Sequence, residues 1–162
     1  MIELTISLVI LAVLGTTAGY GLIGGVRAYS ESSGALQTLG KLRYASERMA
    51  REVREIRRDT LNPDLFDITT MTATTLSFTR GNGTVVTLDA NPPLLNLAYD
   101  TPPGVWTLTD ELGNLSFAYL QNDGITPATS NGEVAFIELN VELSRNGRNY
   151  PQRTRVALRN RQ

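Results

Sequence analysis

The sequence predicts an α+β fold in which one long N-terminal helix, half membrane-spanning and half amphipathic, packs on an antiparallel β-sheet. Three observations predict it. The run from Leu4 to Val26 carries no charge and is mostly apolar. Apolar and small residues then recur at helical spacing from Ala35 to Ile56. Beyond Pro63 the hydrophobic period falls to two, with Gly, Pro and Asn between the runs.

The uncharged run is 23 residues long. A bilayer span needs about 20 mostly apolar residues at about 1.5 Å rise each. Its first half, LTISLVILAVLG, is dominated by Leu, Ile, Val and Ala, and its second, GTTAGYGLIGG, is rich in Gly and Thr. Glycine is better tolerated in membrane helices than in soluble ones. A secretory signal would need a basic n-region and a shorter apolar core. Here the run instead continues into an amphipathic segment. The expectation is a transmembrane helix over residues 1–28.

Residues 29–60 continue the helix amphipathically. Ala35, Leu39, Leu42, Ser46, Met49, Val53 and Ile56 are spaced 4, 3, 4, 3, 4, 3, a heptad-like seam. The other face carries Lys41, Arg43, Glu47, Arg48, Arg51, Glu52, Arg54, Glu55, Arg57 and Arg58 and reads as solvated, with Glu47 and Arg51 in the favourable i,i+4 order. About three heptads suit packing on the chain's own sheet better than a lasting coiled coil. The polar stretch Tyr29 to Gly34 is a candidate break or kink. Asn62-Pro63 ends the helix, because proline cannot continue it and pushes its predecessor to extended geometry.

Residues 61–162 form the antiparallel sheet domain. Thr75 to Arg80 and Thr84 to Asp89 alternate around Gly81-Asn82-Gly83, a hairpin signal. Further strands are expected at Leu94 to Tyr99, Val105 to Thr109, Leu115 to Leu120, Val134 to Leu143 and Thr154 to Leu158. A polar loop spans Gln121 to Gly132, and Arg145 to Arg148 is a turn. The count is five to seven strands, in a sheet with one face covered by the helix seam.

Composition excludes several function classes. The net charge of −1 argues against a global preference for nucleic acid or anionic lipid. With no Cys and no His, there is no thiol nucleophile, disulfide or imidazole ligand. No nucleotide-binding loop or catalytic constellation is present, so an enzyme is not expected, nor a cofactor or metal. Gly81-Asn82-Gly83 reads as a turn, not a phosphate cradle. Asn122-Asp123-Gly124 holds one acid, too few for a calcium loop, leaving a calcium site from separate loops as the alternative. Arg145, Arg148, Arg153, Arg155, Arg159 and Arg161 read as a solvated edge that discourages strand addition. Contact with DNA or an acidic neighbour is the sharper alternative. Trp106, beside Pro102-Pro103-Gly104, reads as core or a loop anchor.

Glu3 is the one charge in the first 26 residues. A charge at the centre of a bilayer costs about 2.5–3.5 kcal/mol on insertion scales. Its place in a first helical turn returns only about 0.3–1 kcal/mol from the dipole. Something further must offset or use it.

The string Ile2-Glu3-Leu4-Thr5, leading into ISLVILAVLG, resembles the N-terminus of type IV pilins and pseudopilins. In that family a short basic leader ending in Gly precedes a mature start of the form F-T-L-I-E-L. Ile2 and Glu3 match its I-E pair, and Met1 stands where the family has Leu. The implied leader, cleavage-site Gly and first two mature residues would precede Met1. Further along, Arg43 to Arg54, Leu115 to Tyr119, Val134 to Leu143 and Arg155 to Asn160 are similar to a minor-pilin subgroup that includes the W-type, MSHA O-type and J-type proteins.

The resemblance implies a structural subunit of a pilus-like filament or secretion pseudopilus, with a pilin-like fold. The matching glutamate pairs with the N-terminal amine of the adjoining subunit and is linked to leader processing and N-methylation. Ile2, Leu4, Leu8, Leu11, Gly15 and Gly19 would pack the filament core, and Gly21, Gly24 and Gly25 would ease close approach. Implied partners are other pilin or pseudopilin subunits, the inner membrane, a prepilin peptidase and an assembly platform. The implied location is the inner membrane with a periplasmic domain, then a filament. The alternative is a signal-anchored periplasmic binding module that never polymerises.

Overall fold

Helix α1 runs unbroken from Ile2 to Val53 in the computed structural model, which describes residues 2–158. The polar stretch Tyr29 to Gly34 is helical throughout, so the helix does not break there. Arg159 and Arg161 of the C-terminal basic cluster lie outside the described residues. Two compact units divide between Gln37 and Thr38. The first is helical.

The second unit contains the last turns of α1 and eight strands. These are β1 (Ile68–Met71), β2 (Thr75–Thr79), β3 (Val85–Asn91), β4 (Leu94–Asp100), β5 (Pro103–Thr109), β6 (Leu112–Leu120), β7 (Phe136–Arg145) and β8 (Arg148–Ala157). They form two antiparallel sheets, β1-β2-β3-β4-β5 and β6-β7-β8, where the sequence suggested one. Backbone bonds from Phe117 N to Ala73 O and from Leu112 N to Pro93 O, both 2.8 Å, tie β6 to loops of the larger sheet. Alternation places Leu76 and Phe78, Val86 and Leu88, Leu95 and Leu97, Leu115 and Phe117, and Ile137 to Leu143 at every second position in one core.

Two turns follow directly from sequence. Gly83 closes the β2–β3 hairpin at φ +88°. Asn146 and Gly147 join β7 to β8 with φ 50° and 73°, the paired positive values of a tight hairpin turn.

The helix seam is shifted from the heptad reading. Leu42, Ser46, Met49, Val53 and Ile56 are buried, but Leu39 is 46% exposed, and Thr38 and Ala45 are buried instead. The helix also ends nine residues before Asn62, the expected stop. Ile56 bridges Arg80, and Arg57 donates its backbone N–H to Thr79 O at 3.0 Å. Pairing beside β2 satisfies these backbone groups in place of another helical turn.

Charges fasten both ends of the buried helical stretch. At its start, Lys41 Nζ lies 2.7 Å from Asp110 and 2.8 Å from Glu111, between β5 and β6, while Thr38 Oγ1 donates to Glu111 at 2.7 Å. At its end sits Glu52, which the pattern put on the solvated face but which is 2% exposed. Its Oε1 accepts from the Tyr99 hydroxyl at 2.7 Å and pairs with Arg48 at 2.9 Å. Arg80 Nε lies 3.6 Å from Oε2 and donates to Glu55 at 2.8 Å.

The C-terminal arginines are not simply solvated. Arg153 and Arg155 flank Glu138 at 2.5 and 3.0 Å, and Arg145 reaches Glu111 at 3.3 Å. Trp106 is neither core nor a loop anchor. It is half exposed on edge strand β5, stacks edge-on against Tyr99 at 5.2 Å, and covers Gly104 so closely that a Cβ there would overlap the ring.

Glu52→Ala leaves Arg48, Arg80 and Tyr99 without their shared acceptor. The expected loss is about 3–5 kcal/mol in chemical denaturation. A loss below about 1 kcal/mol would show that the network does not hold the helix end.

The Arg153 guanidinium, and after it Arg155, holds the Glu138 carboxyl below its ordinary 4.5. Burial pushes Glu111 upward, but Lys41 and Thr38 more than offset it and leave it lowered too. Depressed folded-state values stabilise fully above the unfolded value and are lost as pH falls through the folded one. The thermal midpoint should therefore be level near neutrality and fall below about pH 4.5, less steeply in Glu138→Gln. Equal slopes in both proteins would count against this pairing.

Candidate functional site

The candidate site is the apolar stretch of α1 that is exposed among the described residues. Ile2, Leu4, Leu8 and Leu11 are 77, 71, 62 and 72% exposed. The helix is long and apolar enough to cross a membrane, and none of its most apolar window is buried. Sustained exposure of this many large apolar side chains is far beyond the apolar patch of an ordinary soluble surface.

Helical geometry sorts the candidate residues. At about 100° per residue, Leu4, Leu8, Leu11, Gly15 and Gly19 fall within about 80° of one another, a single stripe. Ile2 lies on the opposite side, about 160° from Leu4, and Glu3 is about 100° from the stripe. The structure therefore brings five of the six proposed packing residues onto one face and leaves Ile2 off it.

Glu3 is exposed in the first helical turn, where the dipole favours a carboxylate. Its backbone carbonyl accepts the Ser7 hydroxyl at 2.8 Å.

The hydroxyls of the stretch are satisfied within the helix. Thr5 donates to Ile2 O at 2.8 Å, Thr16 to Val13 O at 2.9 Å, and Thr17 to Val13 O at 3.0 Å. These bonds to carbonyls three or four residues back let Ser and Thr enter an apolar medium without unpaired polar groups. The sequence carried this signal, since each hydroxyl has such a carbonyl available, but apolar counting passes over it.

No packing contact among the described residues requires the glycines of this stretch. A Cβ at Gly15, Gly19, Gly21, Gly24 or Gly25 would meet nothing within 4 Å, and none has positive φ. Each costs about 0.8–1.0 kcal/mol of helix propensity against alanine. Small residues at helical spacing let helix backbones approach closely in membranes.

Elsewhere, polar groups are engaged structurally. Asp123 accepts from the Ile125 and Thr126 N–H groups, both at 2.9 Å, which spends its carboxylate inside its own loop. Among the described residues no three His, Cys, Asp or Glu side chains gather as a metal set. No protein-family model matches the chain, and no curated protein matches it.

Gly15→Ala and Gly19→Ala are expected to leave the unfolding of the Thr38-onward unit unchanged within about 0.5 kcal/mol, measured on the full chain in micelles. A loss above about 1 kcal/mol would mean these positions are packed within the chain.

Proposed function

We propose that the chain is a structural subunit, a minor one, of a type IV pilus-like filament or a type II secretion pseudopilus. The observation that carries this reading is one carboxylate, Glu3, in the first turn of an apolar helical stretch that is exposed among the described residues. The glycine-bearing stripe and the self-satisfied hydroxyls support it, because both suit a helix that moves between lipid and other helices.

In this reading the helix from Ile2 to about Gly25 sits in the inner membrane before assembly, with the sheet domain in the periplasm. A prepilin peptidase frees the N-terminus, and the assembly platform passes the subunit into the filament. The Glu3 carboxylate then meets the terminal ammonium of the neighbouring subunit. Two desolvated charges are tolerable only together, and leaving one unpaired costs about 3–5 kcal/mol. The pair thereby selects one axial offset between subunits.

Glu3→Ala should leave the chain in the membrane fraction at normal levels and remove it from sheared or pelleted filaments. Normal filament incorporation of the variant would contradict the pairing. If the parent protein also stays wholly in the membrane fraction while filaments form, the chain is instead an anchored module that does not polymerise.

A further inference from the structure

One groove in the sheet domain is lined by polar side chains, among them a buried hydroxyl without a partner. It lies between α1 and β8, encloses about 450 Å³, and is lined by Ser46, Arg51, Arg54, Gln152 and Thr154. Ser46 is 2% exposed, and its hydroxyl has no hydrogen-bond partner. Arg51 and Arg54 are exposed, Gln152 and Thr154 half-buried, and none of the four makes a side-chain hydrogen bond or ion pair among the described residues. Other polar side chains of the domain are paired, as in Thr75–Asp89 and Ser77–Thr87, whereas Ser46 combines near-complete burial with an unpaired hydroxyl. Unpaired buried polar groups are rare enough in folded proteins that each calls for a cause.

The lining selects an anionic ligand. Its two arginines can only donate, and its one acid, Glu47, already accepts from Arg43 at 2.8 Å. The site is also elongated. A second groove of about 490 Å³ shares Arg54 and leads to the Gly81–Asn82 turn. Two residues of β8, Gln152 and Thr154, line the first groove, and β8 is the edge strand of its sheet among the described residues. An extended peptide can pair with such an edge. No aromatic side chain lines either groove, so nucleic acid bases would find no stacking surface.

We propose that this groove binds an extended acidic segment of a partner protein, its carboxylates on Arg51 and Arg54 and its backbone amides against Ser46, Gln152 and Thr154. The site does not depend on filament assembly and stands apart from the Glu3 reading.

The test is an NMR titration of the full chain in detergent micelles with a capped hexapeptide of alternating Thr and Glu. Saturable amide shifts are expected at residues 46–54 and 150–156. Affinity should fall about tenfold or more for the Thr–Gln counterpart and for the Arg51→Ala/Arg54→Ala double variant, whose side chains hold nothing else in the fold. Ser46→Ala should raise the thermal midpoint of the free protein, by removing an unpaired hydroxyl, and still weaken peptide binding. Absence of saturable shifts, or undiminished binding by the double variant, would overturn the proposal. So would equal shifts from inorganic phosphate or from oligothymidine at the same concentration, which would assign the groove to a simple anion or to nucleic acid.

Discussion

The fold from Thr38 onward depends on one requirement: the last four turns of α1 must bury Leu42, Ala45, Met49 and Val53 while the charges beside them stay paired. All four apolar residues are at most 3% exposed, and Glu52 lies among them at 2%. A carboxylate so placed is tolerable only with its cations and hydrogen-bond donors in position. Arg48 comes from the same helix, Tyr99 from β4 and Arg80 from the β2–β3 turn, so one acid fixes three elements at once. At the other end of the stretch Glu111 does the same for Thr38, Lys41 and Arg145. Helix position is thereby set at two places, and the apolar seam fills the space between.

The same helix obeys a different rule in its first half. Between Ile2 and Val26 its large apolar side chains are exposed among the described residues, and its hydroxyls bond to its own carbonyls. Such a surface is unfavourable in water by roughly 25 cal/mol for each Å² of apolar area. Lipid would supply the missing contact to a helix long and apolar enough to cross a membrane, and neighbouring helices would supply it in the proposed filament. Glu3 is costly in either medium without a partner, so the pairing proposed for it would act as an assembly signal.

Much of this was legible in the residues. Period-two runs and Asn-Gly turns located seven of the eight strands, because alternation and turn chemistry are local properties. β1 escaped notice because its four residues, Ile68–Met71, are too short for a period. The split into two sheets was also invisible, since it is set by long-range backbone bonds such as Phe117 to Ala73. The helix overran in the sequence reading because nothing before Pro63 forbids another turn, and only pairing with β2 stops it at Val53. Glu52 looked solvated for a related reason. Its partners Tyr99 and Arg80 are 47 and 28 residues away. Of the candidate site, the apolar run, Glu3 and the glycines stood out from composition alone, whereas the misfit of Ile2 with the stripe needed helical geometry.

In the proposed reading, residues 4–26 lie in an apolar medium, since no described residue buries their large apolar side chains. Spin labels placed singly along α1 in lipid bilayers, read for access to oxygen and to a water-soluble nickel chelate, test this directly. Labels at positions 8, 11, 14 and 22 are predicted to be open to oxygen and closed to nickel, with the preference reversing near Arg27. Uniform access to nickel along the whole stretch would contradict it.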